Sequence, residues 1–257
     1  FHRNYYTAQN AQIALVGDLT LAQAKAISEA VSSSLPSGPA AAVTAKPVAS
    51  GAAKTHIEFP SSQTHILLAQ LAVERGDPDY PALFLGNQIL GGGGFGTRLM
   101  EEVREKRGLT YGIYSSFSPM QTTGPFMINV QTRAQLSEAT LQLVQDLLRD
   151  YIANGPTEAE LADAKRESLG SFPLSAASNS AVVGQLAAIG FYDMPLTWMS
   201  DFMQDLQKLT VADVHAAFKR HLDPEQLVIV TAGPTVEQLP LPEPVERGDS
   251  AAMERQH

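Results

Sequence analysis

The residues best suited to chemistry lie within one segment of the chain. Four consecutive glycines, Gly91 to Gly94, precede Arg104 and Tyr111. A guanidinium and a phenol can both donate hydrogen bonds to a peptide carbonyl whose oxygen becomes anionic in a tetrahedral intermediate. The spacing also allows a plainer interpretation, in which Arg104 pairs with Glu101 and Tyr111 packs at a sheet edge.

The elements around this segment are predicted to bring both side chains to one rim. Thr97 can cap a helix that runs to Arg107, and Gly108 can end that helix. A strand begins near Tyr111, so its phenol and the guanidinium of Arg104 in the last helical turn can point the same way. Consecutive glycines lose much conformational entropy on ordering, so they favour an unusual backbone path or the close approach of another chain.

This segment resembles the C-terminal domain of the pitrilysin, insulinase and mitochondrial-processing-peptidase family of zinc metallopeptidases. The resemblance rests on Leu90-Gly-Gly-Gly, on Phe95-Gly-Thr-Arg-Leu, and on Arg104-Glu-Lys-Arg-Gly-Leu-Thr-Tyr. It extends over about residues 5 to 234, with further similar stretches at Ala11–Asp18 (its first strand), His65–Gln70 (its central strand), Leu209–Val214 (its closing helix) and Val228–Gly233 (its closing strand).

The resemblance implies a role for each part of the segment. In the family, the Arg and Tyr that match Arg104 and Tyr111 lie in the half without zinc and reach across a cavity to a substrate held at the metal of the other half. The loop that matches Gly91, Gly92, Gly93, Gly94 and Phe95 lies along the peptide chamber. We therefore expect this chain to be the substrate-binding, non-metal half of a zinc metalloendopeptidase that acts on peptides or unfolded proteins.

The partner implied by the resemblance is a zinc-bearing domain of the same polypeptide or a separate subunit of a heterodimer. The rival interpretation is a non-catalytic scaffold or interaction subunit with the same fold. Because the chain begins at Phe1 rather than at methionine, we expect a fragment or processed form. Residues 1–7 are interpreted as a lead-in from an upstream domain, 8–234 as the peptidase-family domain and 235–257 as a poorly ordered tail.

No metal site is predicted in this chain. The family's inverted signature, His-x-x-Glu-His, places two zinc ligands on one helical face. None of the six histidines here lies three or four residues from another, so we expect no zinc-binding pair and no peptidase activity from this chain alone. Zinc is expected in the partner half.

Composition excludes several other functions. A net charge of −9 without a basic stripe argues against nucleic acid, and no apolar run approaches the roughly 20 residues that cross a bilayer. The glycines lack the lysine of a phosphate-binding loop, and the chain has no cysteine for disulfides or thiolate sites. The compartment is left open, with the bacterial periplasm preferred over the cytoplasm.

The pattern of elements predicts an α+β fold: a mixed, largely antiparallel sheet with helices packed on one face. Alternation in Phe126–Thr132 marks a half-buried strand, and the acidic residues from Glu158 to Glu167 are interpreted as a solvated helix face. The predicted strands are Gln12–Val16, Lys54–Phe59, Thr64–Val73, Thr110–Ser118, Phe126–Thr132 and Gln226–Ala232. The predicted helices begin near residues 21, 80, 97, 136, 158, 176, 195 and 210.

Overall fold

A computed structural model describes residues 1–42 and 44–245 of the chain. The chain divides into two compact units, one formed by Phe1–Lys46 with Arg166–Asp205 and the other by Pro47–Lys165 with Leu206–His257. All of the candidate functional residues lie in the second unit.

The second unit is built on one five-stranded sheet with the order β1-β5-β2-β4-β3. The pair β1 and β5 is parallel, and every other neighbouring pair is antiparallel. This arrangement confirms the mixed, largely antiparallel sheet. The strands are β1 Ala53–Glu58, β2 Gln63–Val73, β3 Ile113–Phe117, β4 Gly124–Arg133 and β5 Val228–Gly233.

Helices of the second unit cover one face of this sheet. The α-helices of the whole described chain are α1 His2–Tyr5, α2 Leu21–Ser33, α3 Tyr80–Asn87, α4 Ser137–Asn154, α5 Glu158–Ser175, α6 Asn179–Phe191, α7 Trp198–Lys208 and α8 Val211–His221. Helix α4 contacts β2 and β4, while α3 and α4 both contact α8. The predicted layer of helices on one side of the sheet is therefore confirmed.

The core lies between that face and the helices. Phe126, Ile128 and Val130 alternate along β4 as buried residues, as the sequence pattern predicted. Tyr151 of α4 meets Phe218 of α8 edge to face, with ring centroids 5.0 Å apart. Aromatic pairs in this geometry add stabilisation beyond the apolar area that they bury.

The first unit departs from the sequence prediction at one strand. Residues 11–16 do not pair with any strand in the described part of the chain, although Ala11 has extended backbone angles. An apolar run forms a strand only where a sheet edge satisfies its backbone groups, and here Ile13 is left 38% exposed. The prediction of a buried strand over Gln12–Val16 was therefore wrong.

Helix α2 forms where the sequence placed it. It begins with a capping box, in which Thr20 and Gln23 satisfy each other's backbone N–H groups. Its apolar stripe, which includes Leu21, Ile27 and Val31, is exposed. The capping box and the local sequence pattern thus predicted the position of the helix, but its apolar side chains are not buried within the unit.

The segment after β5 has no regular secondary structure but is attached to the second unit. The backbone N–H of Leu239 donates to the carbonyl of Gln135 at 2.7 Å, and that of Val245 to Lys106 at 2.8 Å. These contacts fall on residues 235–245, within the predicted poorly ordered tail; its remaining residues, 246–257, lie outside the described residues. In the described ranges no single helix is long and apolar enough to cross a membrane, and one bent pair, α5 with α6, meets the length and composition together.

Candidate functional site

The glycine-rich loop begins as a widened continuation of α3. A π-helical turn, Gln88–Gly92, follows the helix directly. Gly91 in this turn is buried, and a Cβ atom there would lie 2.6 Å from Ser115 Oγ and 3.0 Å from the backbone nitrogen of Ser115. Gly91 is thus required by the close packing of the loop on β3.

A buried polar pair fixes the start of the loop against the sheet. The Asn87 side chain donates to the carbonyl of Ser115 at 3.1 Å, and the Ser115 hydroxyl donates to Asn87 Oδ1 at 2.7 Å. Two hydrogen bonds between buried partners hold α3 to β3 in one register. No local sequence pattern predicts this pair, because Asn87 and Ser115 are 28 residues apart and belong to no motif.

The loop passes into a second helix that is wider than predicted. The Thr97 hydroxyl accepts a hydrogen bond from Met100 N at 3.4 Å, but residues Met100–Glu105 form a π-helix rather than an α-helix. Gly108 ends the helix with φ of 59°, and its N–H donates to the carbonyl of Arg104 at 2.8 Å. The predicted cap and stop are both present, whereas the turn type was missed because π-turns depend on packing.

The site itself is a stack of three side chains. The guanidinium carbon of Arg104 lies 4.7 Å from the ring centroid of Phe95 and 5.2 Å from that of Tyr111. The Arg104 side chain is 25% exposed, while Phe95 and Tyr111 are 75% and 91% exposed. We call these three residues the cation–aromatic stack.

The plainer interpretation of this pair does not describe the structure. Arg104 Nη1 approaches Glu105 Oε1 at 3.3 Å, so its acidic neighbour is Glu105 rather than Glu101. Tyr111 precedes β3 and projects into solvent instead of packing against the sheet edge. The structure therefore brings Arg104 and Tyr111 together at one exposed rim, as the segment's local pattern predicted.

A short turn fixes the position of Tyr111. The Thr110 hydroxyl accepts from the N–H of Gly112 at 3.1 Å and donates to the carbonyl of Gly112 at 2.9 Å. Side chain to backbone bonds of this kind hold a turn without secondary structure. Tyr111 is thus presented at the tip of a closed turn.

Tyr111 also borders a cavity on the face of the sheet that the helices leave open. The cavity has a volume of about 390 Å³. Its lining combines apolar side chains with neutral hydrogen-bonding groups and carries no acidic residue among the described ones. Representative lining residues are His65, Leu67, Asn129, Gln131 and Val230.

The other basic residues of the second helix are engaged locally. The Glu102 carboxylate accepts hydrogen bonds from Lys106 Nζ at 2.6 Å and from Arg107 Nη1 at 2.7 Å. Partial burial raises the pKa of Glu102, but the hydrogen bonds from Lys106 and Arg107 outweigh it and hold the pKa below its ordinary value. Lys106 and Arg107 therefore share one carboxylate within the helix, whereas Arg104 contacts the rings at the rim.

Arg98 anchors the same helix to the start of α5. Its guanidinium donates to both carboxylate oxygens of Glu160, at 2.7 and 2.8 Å, and lies 4.9 Å from the ring centroid of Tyr151. The hydrogen bonds from Arg98, aided by Thr157, lower the pKa of Glu160 to about 2. Of the predicted solvated helix face, Glu158, Asp163 and Glu167 are exposed. The prediction was wrong for Glu160, which is partly buried in an ion pair with a partner 62 residues away.

One group of possible metal ligands occurs within the described residues, formed by Asp77, Asp79 and His221. Its groups already have partners: Arg220 forms two hydrogen bonds with Asp79, at 2.7 and 2.8 Å. His221 directs Nδ1 to the carbonyl of Ala72 and Nε2 to Asp79. Both ring nitrogens of His221 are therefore already engaged in contacts within the chain.

The sequence profile of the Peptidase M16 inactive domain matches residues 1–168. This chain belongs to that family. The resemblance inferred from the sequence is thereby confirmed at the level of the family, as an inactive domain with the family's fold.

Three relatives illustrate the match. The crystal structure of a peptidase M16 inactive domain from Pseudomonas fluorescens is 60% identical, with a TM-score of 0.88 over 92% of this chain and 56% of that chain. The non-peptidase homolog YmxG of Helicobacter pylori is 31% identical over 51% of this chain and 31% of its own length. An uncharacterized zinc protease of Mycobacterium tuberculosis, Rv2782c, is 26% identical over 74% of this chain and 43% of its own length. This chain spans less than half the length of these two curated relatives.

Proposed function

We propose that this domain is the substrate-binding, non-metal half of a zinc-dependent metalloendopeptidase. Arg104 and Tyr111 supply hydrogen-bond donors to a peptide that is held at a zinc site in another domain or subunit. The observation that carries this proposal is the cation–aromatic stack, which presents a guanidinium and a phenol together at an exposed rim.

The exposure of the stack favours a ligand over a structural role. Tyr111 is 91% exposed, so its ring contributes little to the core of this unit. A charged donor and a phenol placed side by side suit a carbonyl oxygen on which negative charge develops, where each preorganised donor contributes a few kcal/mol. Peptide cleavage supplies such an oxygen.

The neighbouring cavity supports a peptide as the ligand. Tyr111 belongs to both the stack and the cavity lining, so a chain bound at the stack can continue over the open face of the sheet. Neutral groups such as Asn129 and Gln131 can pair with peptide backbone without selecting a charge. Unfolded peptides and short proteins are the substrates that this surface fits.

The glycine loop has two parts in this proposal. Gly91 is buried, and an added Cβ at Gly92 or Gly93 would clash with Asn87 or Gln88, so these three glycines shape the loop. Gly92 to Gly94 also lie at or near the surface, where a missing side chain lets a substrate approach the backbone. Phe95 follows at the exposed tip. The loop thus borders the same rim as Arg104 and Tyr111.

The metal comes from elsewhere in this proposal. A catalytic zinc site uses about three protein ligands, and the one ligand group in the described residues is occupied by its own network. The zinc-bearing half is either a further domain of the same polypeptide or the second subunit of a heterodimer. Residues 8–234 are the proposed family domain, with residues 1–7 as a lead-in.

A second candidate is a non-catalytic interaction subunit with the same fold. It is favoured by the name of the Helicobacter pylori relative, a non-peptidase homolog. The two candidates differ in one requirement: a scaffold does not need the donors of Arg104 and Tyr111 at the rim.

Kinetics of the assembled protein distinguish the candidates. With the zinc-bearing half present, Tyr111→Phe should lower kcat/KM by about tenfold to a few hundredfold, and Arg104→Ala should have a comparable effect. Arg149→Ala and Tyr6→Phe are the matched controls, since they remove an exposed guanidinium and an exposed phenol hydroxyl elsewhere. Full activity in both rim variants would assign the domain to the scaffold class.

A further inference from the structure

Phe95 lies at the tip of the glycine loop, in a position that its neighbours make possible. Gly94 and Gly96 on either side have φ of 81° and 86°. A Cβ atom at either glycine would meet nothing within 4 Å, so the backbone path rather than space requires glycine there. The loop thus turns sharply on both sides of one large apolar residue and directs its ring onto Arg104.

The ring of Phe95 is not a core residue. It is 75% exposed, and its described aromatic contact is with the guanidinium of Arg104, 4.7 Å from the ring centroid. Exposed cation–aromatic contacts of this kind contribute modestly to stability. The contact is therefore more important for where the guanidinium points than for the stability of the fold.

Arg104 has competing acidic neighbours. Glu105 already lies 3.3 Å from Nη1, and Glu101 is one turn away on the same helix. A long, flexible side chain pairs readily with such carboxylates in water. The guanidinium also contacts the rings of both Phe95 and Tyr111, and these two contacts restrict the directions that its N–H groups can take.

We propose that Phe95 is a positioning residue that holds the Arg104 guanidinium beside Tyr111 and so sets the direction of its N–H donors toward the substrate. This role differs from direct substrate contact by the loop. The inference rests on the proposed function of Arg104, and its test separates the two.

The kinetic test uses the full-length protein together with its zinc-bearing half. Phe95→Leu keeps apolar bulk but removes the aromatic face, and it should lower kcat/KM about two- to fivefold. Phe95→Tyr and Phe95→Trp should retain wild-type activity, because both keep an aromatic face. In an Arg104→Ala background, Phe95→Leu should have no further effect. A loss that persists in that background would overturn the proposal, since Phe95 would then act without Arg104.

A second measurement is independent of catalysis. Ring currents of Phe95 shift the NMR signals of the Arg104 side chain in this chain, and Phe95→Leu should remove that contribution while Phe95→Tyr retains it. The signals of Arg149 serve as the control. Unchanged Arg104 signals in Phe95→Leu would contradict the contact between Phe95 and Arg104 and so overturn the proposal. If Arg104→Ala instead leaves kcat/KM intact while the Arg104 signals respond to Phe95→Leu, the stack stands and the proposed function fails.

Discussion

At the scale of single residues, Gly91 is the glycine of the loop whose added methyl group would meet strand β3. In Gly91→Ala the new Cβ would lie 2.6 Å from Ser115 Oγ, 2.7 Å from Leu99 Cδ1 and 3.0 Å from the backbone nitrogen of Ser115. Because the backbone of β3 cannot move aside cheaply, we expect the free energy of unfolding to fall by about 1–3 kcal/mol. Denaturant titration of the purified variant measures this change.

Gly112→Ala is the matched control for that substitution. Its nearest neighbours, at 3.0 to 3.3 Å, belong to the end of the Tyr114 ring, which is half-exposed and can rotate away. We expect a smaller loss of stability than in Gly91→Ala. Equal losses in the two variants would contradict the assignment of Gly91 to packing on β3.

At the scale of elements, the ion pair between Arg98 and Glu160 joins the second helix of the site to α5. In Glu160→Gln the bidentate acceptor is lost, and we expect the free energy of unfolding at neutral pH to fall by about 1.5–3 kcal/mol. Asp146→Asn, which alters an exposed pair with Arg149, is the control and should change stability by less than about 1 kcal/mol. Chemical denaturation of each variant gives the comparison.

The same pair predicts a pH dependence. The pKa of Glu160 is lowered to about 2 in the folded chain, below the ordinary value of 4.5 that applies when the chain is unfolded. Its contribution is therefore complete above about pH 4.5 and is lost as pH falls toward 2. The stability difference between wild type and Glu160→Gln should shrink over this range. A difference that stays constant from neutral pH to pH 2 would show that the carboxylate charge is not involved.

The sequence predicted elements best where the signal is local. The capping box of α2 and the alternation of β4 both use residues within a few positions of each other, and both elements form as predicted. The π-turns at Gln88–Gly92 and Met100–Glu105 were missed, since an α-helix and a π-turn share the same composition. The partner of Glu160 was missed as well, because sequence periodicity does not reveal a contact across 62 residues.

At the scale of the whole molecule, the described residues include one group of possible metal ligands, Asp77, Asp79 and His221. Purified alone, the chain should bind no stoichiometric zinc and cleave no peptide, because the carboxylates of Asp77 and Asp79 and the ring nitrogens of His221 already have hydrogen-bond partners. Metal analysis after dialysis, with and without chelator, measures this. One tightly held zinc per chain, lost in His221→Ala, would contradict it.

The strand predicted at Gln12–Val16 shows what a sequence cannot specify alone at this scale. Its apolar run is the same kind of signal that correctly located β5, yet residues 11–16 remain unpaired within the described chain. A strand requires a neighbouring edge as well as a suitable sequence. Local pattern therefore located β5, which pairs with β1 and β2, and misassigned the first segment, which pairs with no strand in the described chain.

The two π-turns on either side of the glycine loop restrict how this segment can change in length. Each residue advances a helix by about 100°, so one residue added or removed in the helix before Arg104 would rotate its guanidinium relative to Phe95. The π-helical turns at Gln88–Gly92 and Met100–Glu105 hold more residues per turn than an α-helix does. Relatives that use the same stack should thus differ in the side chains between these positions but keep their number constant, so insertions and deletions should be absent there.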